Sequence, residues 1–358
     1  MNEWASRLRR LSALLLIGGV AGFSVWMPPA PAAASAPASV APQLAPVHFG
    51  SPQAISDAGV FIASARGYFA EQGLNVDSQP FQSGPNTIVP LASGDLDVAG
   101  GTFSIALLNA IDRGVRLRVV ADKGTSRPGF EFSQVVLRRD LLDSGQVHDV
   151  ADLRGRRVAV ASLRSGAEAI AHQVLAQGGV GIDEVTLVPL GYPDMLVAYA
   201  NDAIDAGVVI EPILSAAIER GVAATWEPGR TSTAYGGAYQ AGLLLFSSQF
   251  AAQTDQARRF MVAYLKGVRD YNDAFVKGQG RDDVVRILTE ATTVKDPAVY
   301  EHMNMAGLNP DGRLVRRSME IELGYFRERG YYTGSLTLDD VIDASFAEYA
   351  AQQLGPYQ

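Results

Sequence analysis

Predicted strands and helices alternate along the chain from Val47 onward, and the alternation occurs in two successive series. The first series has predicted strands at 47–50, 74–81, 96–99 and 117–121, and helices at 56–72, 87–93 and 103–113. The second has predicted strands at 135–138, 157–161, 185–189, 206–210 and 223–226, and helices at 166–177, 193–201 and 212–220. Such alternation favours parallel sheets covered by helices, so the sequence predicts an α/β fold with two lobes.

The first predicted helix, 56–72, has recognisable boundary signals at both ends. Ser56 or Asp57 can cap its N-terminus, and Gly73 is a typical C-terminal stop. Its apolar residues recur at helical spacing, so we expect one continuous helix here.

The C-terminal third has a different pattern, with one strand at 243–246 followed by amphipathic helices. These helices are predicted at 255–277, 281–291, 297–305, 314–329 and 338–353. We expect them to pack on the first lobe, so that the chain crosses between the lobes near 132–136 and 234–242. Lobe 1 is then 47–133 together with 240–358, and lobe 2 is 134–239.

The N-terminus has the pattern of a secretory signal peptide. Three arginines lie within residues 1–10, an apolar run covers 11–23, and prolines and small residues precede Ala34. This predicts residues 1–34 as a signal peptide cleaved near Ala34, and 35–46 as a flexible leader. The alternative is a membrane anchor, for which the apolar run is short. We expect a periplasmic protein without stable membrane insertion.

Composition excludes several classes of protein. Of the 358 residues 47% are apolar and 19% charged, which favours compact domains over disorder. The formal charge of −8 disfavours nucleic acid as a partner. The sequence has no cysteine, so disulfides, thiolate metal sites and a lipid-modified cysteine are excluded, and we expect no lipoprotein.

Motifs of catalysis are missing from the sequence. The four histidines, His48, His148, His172 and His302, do not include a pair at helical metal-binding spacing. The nucleophile elbow, the P-loop and the dinucleotide-binding glycine motif do not occur either. The sequence therefore predicts a protein that is not an enzyme and needs no metal and no cofactor.

Four segments, in their order and spacing, resemble a known family. They are residues 65–74, 94–100, 152–160 and 205–212. Together they resemble the substrate-binding proteins of ABC importers for nitrate, sulfonates, taurine and thiamine-pyrimidine precursors, over about 47–240. The resemblance implies a type II periplasmic-binding-protein fold, in which two lobes joined by a two-crossover hinge hold a ligand in the cleft.

The same resemblance implies a non-catalytic receptor for a small organic molecule. We expect a monomer, because a receptor that docks to its partner by both lobes gains nothing from burying them in a dimer. The ligand classes that the resemblance suggests are sulfonates, amino-sulfonates, aromatic acids and nitrogen heterocycles, and the partner is an ABC permease with its ATPase. One alternative is an exported sensor that docks to a receptor kinase. A thiamine-pyrimidine synthase is the other, but that relative needs a cysteine-rich motif and this chain has no cysteine.

Ligands in open parallel sheets bind beyond the carboxyl ends of the strands, which selects loops in both lobes. The predicted ligand-binding residues in or near these loops are Gln53, Asp57, Ser83, Asn86, Thr87, Thr102, Phe103, Ser104, Ser162, Arg164, Ser165, Tyr192, Asp194, Glu211 and Tyr235.

Each of these residue types can also serve the fold rather than contact a ligand. The hydroxyls suit an anion at a helix N-terminus, but they also suit plain N-capping. Arg164 can pair with an anion or be a solvated loop residue. Phe103, Tyr192 and Tyr235 can stack on a planar ligand or pack in a core.

The acidic residues leave a similar choice. Glu211 can cap the helix after it or accept a hydrogen bond from a ligand N–H. An acidic cleft built from Asp57, Asp194 and Glu211 favours a ligand with amine or N–H groups over a naked anion such as nitrate.

Overall fold

A computed structural model describes Gly22 and residues 43–358. The predicted signal peptide and most of the predicted leader therefore lie outside the described residues. Within the described part of the chain, no helix combines the length and the apolar character needed to cross a membrane.

The described residues contain ten strands and sixteen α-helices. The strands are β1 Ala45–Ser51, β2 Leu74–Pro80, β3 Val98–Gly101, β4 Arg118–Ser126, β5 Ser133–Arg138, β6 Arg157–Val160, β7 Thr186–Pro189, β8 Ala206–Ile210, β9 Ala223–Ala224 and β10 Tyr239–Phe246. The helices are α1 Ala58–Ala65, α2 Tyr68–Glu71, α3 Ile88–Ser93, α4 Ile105–Asp112, α5 Arg139–Asp143, α6 Gly166–Gln177, α7 Tyr192–Ala200, α8 Ile213–Glu219, α9 Thr231–Ala234, α10 Ser248–Ala252, α11 Thr254–Val276, α12 Arg281–Ala291, α13 Val299–His302, α14 Arg316–Glu328, α15 Leu338–Val341 and α16 Ser345–Leu354.

The strands form two five-stranded sheets, and the predicted two-lobed α/β fold is confirmed. The strand order is β2-β1-β3-β10-β4 in one sheet and β7-β6-β8-β5-β9 in the other. Both orders follow the same plan, with three parallel strands on one side.

The expected parallel pairing is present among three strands of each sheet, and one strand of each sheet departs from it. Strand β10 is antiparallel to β3 and β4, and β5 is antiparallel to β8 and β9. Both strands arrive from the other sheet, β5 after residues 127–132 and β10 after residues 225–238. Two consecutive strands of one sheet can pair in parallel only if a crossover connection carries the chain back to the starting end of the sheet. A strand that enters from the other sheet has no such connection, so it can run antiparallel to its neighbours.

The two connections between the sheets, 127–132 and 225–238, overlap the crossings predicted near 132–136 and 234–242. The residue-level bounds of the lobes, 47–133 with 240–358 and 134–239, stay a prediction.

Two long predicted helices are interrupted. A 3₁₀ turn at Ile55–Asp57 precedes α1, and Gly67, with a φ of +74°, separates α1 from α2. This left-handed conformation cannot continue a right-handed helix. The predicted helix 338–353 divides into α15 and α16, because Ile342 is extended with a ψ of 134°.

The C-terminal helices bury the first sheet and also reach the second series. Helix α11 packs on α1, α2 and α16. An aromatic core lies below β10, where the ring of Phe246 has its centroid 5.0, 5.8 and 5.2 Å from those of Phe250, Phe260 and Phe346. Helix α14 packs on β10 but also contacts α6, and α13 contacts α8. The C-terminal third therefore contacts the first sheet and two helices of the second series.

Candidate functional site

A small cavity lies between the two sheets and is lined by residues of both series. Its lining residues are Pro52, Ala54, Ser56, Gly84, Gly101, Thr102, Lys123, Phe132, Ser133, Ala167, Ile170, Tyr192, Ile210, Tyr239, Ala241 and Gly242. Its volume is about 30 Å³, which leaves room for only a few water molecules. The structure is therefore in a closed state, and a larger molecule needs the two halves to separate.

A buried ion pair lies at the side of this cavity formed by the first sheet. Lys123 Nζ donates to Asp57 Oδ1 at 2.7 Å and to Ser56 Oγ at 3.0 Å, and the Lys123 and Asp57 side chains are 3% and 0% exposed. Asp57 Oδ2 also accepts from the Ala54 backbone N–H at 2.9 Å. The pair adds no net charge to the cavity, and one ammonium N–H of Lys123 remains for a further acceptor.

Two tyrosines line the cavity, Tyr192 at the start of α7 and Tyr239 on β10, and Tyr235 packs against Tyr239. The rings of Tyr235 and Tyr239 have centroids 4.4 Å apart. Burial raises the pKa of Tyr192 and of Tyr239, so both hydroxyls stay protonated at neutral pH. They can therefore donate hydrogen bonds.

Glu322, on α14, joins this tyrosine group. Its Oε1 accepts from the Tyr239 hydroxyl at 2.8 Å, and the residue is fully buried. Burial raises the pKa of the Glu322 carboxyl well above its usual range. Its Oε2 has no hydrogen-bond partner among the described residues.

Hydroxyl groups near the cavity are left without partners as well. The Oγ1 of Thr102, the Oγ of Ser83 and the hydroxyl of Tyr235 are buried, and none of them has a partner in the described part of the chain. Buried polar groups are normally hydrogen-bonded, so a cluster of exceptions marks a place where another molecule can complete the bonding. Thr87, by contrast, is satisfied, since its Oγ1 donates to the Gly84 carbonyl at 2.7 Å.

The loops after β3 and β6 bind each other across the two sheets. The Gly166 N–H donates to the Phe103 carbonyl at 3.0 Å, and the Ile105 N–H donates to the Arg164 carbonyl at 3.1 Å. Ser104 caps α4 by accepting from the Leu107 N–H at 3.3 Å. The first amides of α4 and α6 are therefore occupied in this closed state.

Other predicted residues of these loops have internal roles here. The Ser165 hydroxyl donates to the Ser162 carbonyl at 2.6 Å. Phe103 is buried with its ring 6.1 Å from that of Phe326. The exposed Arg164 places its guanidinium carbon 5.1 Å from the ring centre of Tyr331.

Three predicted ligand-binding residues, Gln53, Asn86 and Asp194, do not line the cavity. Asn86 and Asp194 are exposed to solvent. Gln53 is half-buried with a φ of +55°, and its N–H donates to Ser51 Oγ at 3.1 Å. Neither acidic prediction, Asp57 or Asp194, therefore gives the cavity a free negative charge: Asp57 is neutralised by Lys123 and Asp194 points to solvent.

Both carboxylate oxygens of Glu211 accept hydrogen bonds from other residues of the protein. Its carboxylate accepts from Ser215 N–H and from Ser215 Oγ, both at 2.9 Å, and from the Asn304 N–H at 2.9 Å. Burial raises its pKa to about 7. These bonds cap α8 and connect it to the segment after α13, which explains the residue without a ligand. A contact between Glu211 and a ligand stays a prediction.

The structure thus brings Thr102 and Tyr192 to the cavity wall, with Ser83 and Tyr235 beside lining residues. Sequence reasoning missed Lys123, Tyr239 and Glu322. A lysine just after a predicted strand was the available signal for Lys123, because a buried lysine needs a partner for its charge. For a metal, no cluster of three or more acidic or histidine ligands exists among residues 43–358 or at Gly22.

Comparison with known proteins shows the family and the fold of the chain. A family model described as NMT1/THI5 like matches residues 55–273, more than half of the chain. A Brucella abortus protein named as a candidate binding protein is 22% identical over 224 residues, which are 60% of this chain. The match spans 62% of the length of that relative.

Two solved structures share the fold. The periplasmic nitrate-binding protein NrtA from Synechocystis PCC 6803 has a TM-score of 0.72 at 16% identity, covering 88% of this chain and 90% of that one. The alkanesulfonate-binding protein SsuA from Xanthomonas axonopodis pv. citri, bound to MOPS, has a TM-score of 0.64 at 20% identity, covering 86% and 99%. At these identities the likeness shows the fold alone.

Proposed function

The chain belongs to the NMT1/THI5-like family, and we propose that it is an exported solute receptor that binds a small organic molecule between its two lobes. The observation that carries this proposal is the closed cavity, lined from both sheets and bordered by unpartnered buried hydroxyls. Neighbours in the fold include proteins named for binding nitrate and alkanesulfonates.

Closure is the mechanism of the proposed receptor. The crossing segments 127–132 and 225–238 act as the hinge, and ligand enters while the lobes are apart. In the closed state the hydrogen bonds between Phe103 and Gly166 and between Ile105 and Arg164 hold the lobes together. Ligand that contacts both lobes shifts the population toward this state.

The destination of the ligand is an ABC permease and its ATPase. The closed lobes present one surface to the permease, and opening at the membrane releases the solute. The receptor then works in the periplasm, after removal of residues 1–34.

Ligand binding is tested by thermal unfolding of the protein purified from its host, against sulfonates, amino-sulfonates, aromatic acids, aromatic amides and nitrogen heterocycles. A ligand present at about 100 times its Kd stabilises the folded state by about 2.7 kcal/mol. Stabilisation by one chemical class supports the receptor. A panel in which no compound changes the unfolding temperature, with no small molecule released on denaturation, contradicts it.

Transport is tested by uptake in cells. Deletion of the gene is expected to abolish uptake of the stabilising compound, and a plasmid copy to restore it. Unchanged uptake after deletion contradicts delivery to a permease while leaving ligand binding intact.

A further inference from the structure

Helix α14 has an apolar face that fixes it to the half of the protein containing the first sheet. This face is buried in an apolar cluster that also contains Leu108 of α4 and Val119 of β4. Its residues recur at positions i, i+4 and i+7, which share one side of a helix, and are Met319, Leu323 and Phe326. Helix α14 therefore moves with the first sheet when the two lobes separate.

A second face of α14 contacts the half that contains the second sheet. The Tyr325 hydroxyl donates to Oε1 of Glu168, on α6, at 2.8 Å. Four positions later, Arg329 donates from its two terminal nitrogens to the carboxylate of Asp183, at 2.7 and 2.6 Å. Asp183 lies in the short turn before β7. We call these two contacts, Tyr325 with Glu168 and Arg329 with Asp183, the latch.

The two contacts of the latch differ in strength. Tyr325 and Glu168 are 3% and 1% exposed, and the Tyr325 ring also stacks on His172 of α6 with centroids 4.4 Å apart. Burial and the bond to Glu168 raise the pKa of the Tyr325 hydroxyl, so it remains a donor at neutral pH. The side chains of Arg329 and Asp183 are 29% and 74% exposed, and water weakens such a pair. The buried bond therefore contributes most of the latch.

The contacts that join the two halves are made by groups of the protein itself. Besides the latch, Gly166 N–H donates to the Phe103 carbonyl and Ile105 N–H to the Arg164 carbonyl, at 3.0 and 3.1 Å. The latch residues lie outside the set that lines the cavity. All these bonds can therefore form whether or not a molecule occupies the cavity.

We infer that the latch keeps the receptor closed before ligand arrives, so that Tyr325 and Arg329 control access to a cavity that they do not line. They are positioning residues, because they act on ligand entry and release only through the separation of the lobes. This inference rests on the proposed function, since it concerns the opening of the same site. It is tested without ligand, which keeps the two tests separate.

Thiol labelling measures this opening, because the sequence contains no cysteine. In Ala241→Cys the new thiol lies in the cavity wall, at a residue that is 9% exposed. In Val197→Cys it lies on the surface of α7, at a residue that is 59% exposed. Each protein is unfolded, dialysed and refolded to remove any bound molecule, and its reaction with iodoacetamide is followed by mass spectrometry.

The cavity thiol is expected to react at least about 100-fold more slowly than the surface thiol. Three hydrogen bonds between the halves, each contributing about fivefold, must break together before the reagent enters. They are the bond of Tyr325 to Glu168 and the two backbone bonds between the loops after β3 and β6.

A matched pair of tyrosine variants separates the latch from general stability. In the Ala241→Cys protein, Tyr325→Phe removes only the hydroxyl of the latch and should raise the labelling rate about tenfold. Tyr199→Phe also removes a buried hydroxyl, but its bond to the Val136 carbonyl, at 3.0 Å, lies within the second half. Tyr199→Phe should leave the labelling rate unchanged.

A matched pair of arginine variants tests the exposed part of the latch. Arg329→Gln should raise the labelling rate about threefold, as expected for an exposed ion pair. Arg154 pairs with Glu184, the neighbour of Asp183, at 2.7 Å and within the second half. Arg154→Gln should therefore leave the rate unchanged.

Two results overturn the inference. One is a cavity thiol that reacts as fast as the surface thiol, which shows that the ligand-free receptor is open. The other is a labelling rate that Tyr325→Phe leaves unchanged or that Tyr199→Phe raises equally. Thermal unfolding shows which variants are folded, and if Tyr325→Phe is not, Arg329→Gln against Arg154→Gln decides. In each case the receptor survives if a compound of the ligand panel binds, and it fails only if none does.

Discussion

The buried pair between Lys123 and Asp57 gives a prediction whose size follows from its geometry. With a separation of 2.7 Å and side chains 3% and 0% exposed, the two charges are removed from water together. Lys123→Met leaves the Asp57 carboxylate buried without a counterion, and breaking a buried pair in this way costs about 3–5 kcal/mol. For a protein of this size the unfolding temperature should fall by roughly 5–8 °C.

Urea denaturation of the single and double variants measures this effect. The double variant Asp57→Asn/Lys123→Met removes both charges and should recover all but about 1 kcal/mol of the loss. The exposed pair between Arg286 and Asp283, with side chains 60% and 46% exposed, is the matched control. Arg286→Met should cost less than about 0.5 kcal/mol. A double variant as unstable as Lys123→Met would refute the reasoning.

Three further predictions concern the contacts around the cavity. Burial raises the pKa of the Glu322 carboxyl in the folded state well above its usual range. The stability that the neutral carboxyl contributes is therefore fully present below its pKa in the unfolded chain, about 4.3, and is lost as the pH rises toward its pKa in the folded state. Relative to Glu322→Gln, the wild type should lose about 1.4 kcal/mol per pH unit over that window in urea denaturation, and a constant difference between pH 5 and pH 8 would contradict this. In Gly166→Ala the new Cβ would lie 2.6 Å from the Tyr239 hydroxyl and 2.8 Å from Glu322 Oε1. It should therefore open the lobes and raise the radius of gyration in X-ray scattering, whereas Gly324→Ala, with no atom within 4 Å of its Cβ, should leave the radius unchanged. Glu211→Ala should lower the free energy of unfolding by about 1–2 kcal/mol through loss of the α8 cap. Calorimetric titration of the folded variant decides the predicted ligand contact: lower affinity assigns Glu211 to the site, and unchanged affinity leaves it as a cap alone.

Local patterns were sufficient for much of the fold. Gly166–Gln177, Ala206–Ile210 and Arg281–Ala291 match their predicted bounds at both ends. Each has a clear change of pattern at its ends, such as Ser165 before α6 and Gly280 before α12. Helix 56–72 was harder, because its apolar spacing continues through Gly67 and only the left-handed backbone there reveals the break.

The site was less predictable because its decisive contacts are distant in sequence. Asp57 and Lys123 lie 66 positions apart, and Tyr239 and Glu322 lie 83 apart. The rule that ligands bind after parallel strands leads to Thr102 and Tyr192. It cannot find Glu322, which lies on a helix of the C-terminal third and reaches the cavity only through the packing of α14 on β10 and α6.

Calorimetric titration of Thr102→Val against the wild type tests the central claim most directly. The probe is the compound that raises the unfolding temperature most, and Thr233→Val, at an exposed position on α9, is the control. Thr102→Val keeps the shape of the side chain but removes the buried hydroxyl of Thr102, which has no partner among the described residues. The account predicts binding of one molecule per chain, weakened about tenfold in Thr102→Val and unchanged in Thr233→Val. Equal affinity in all three proteins would contradict a ligand site between the lobes.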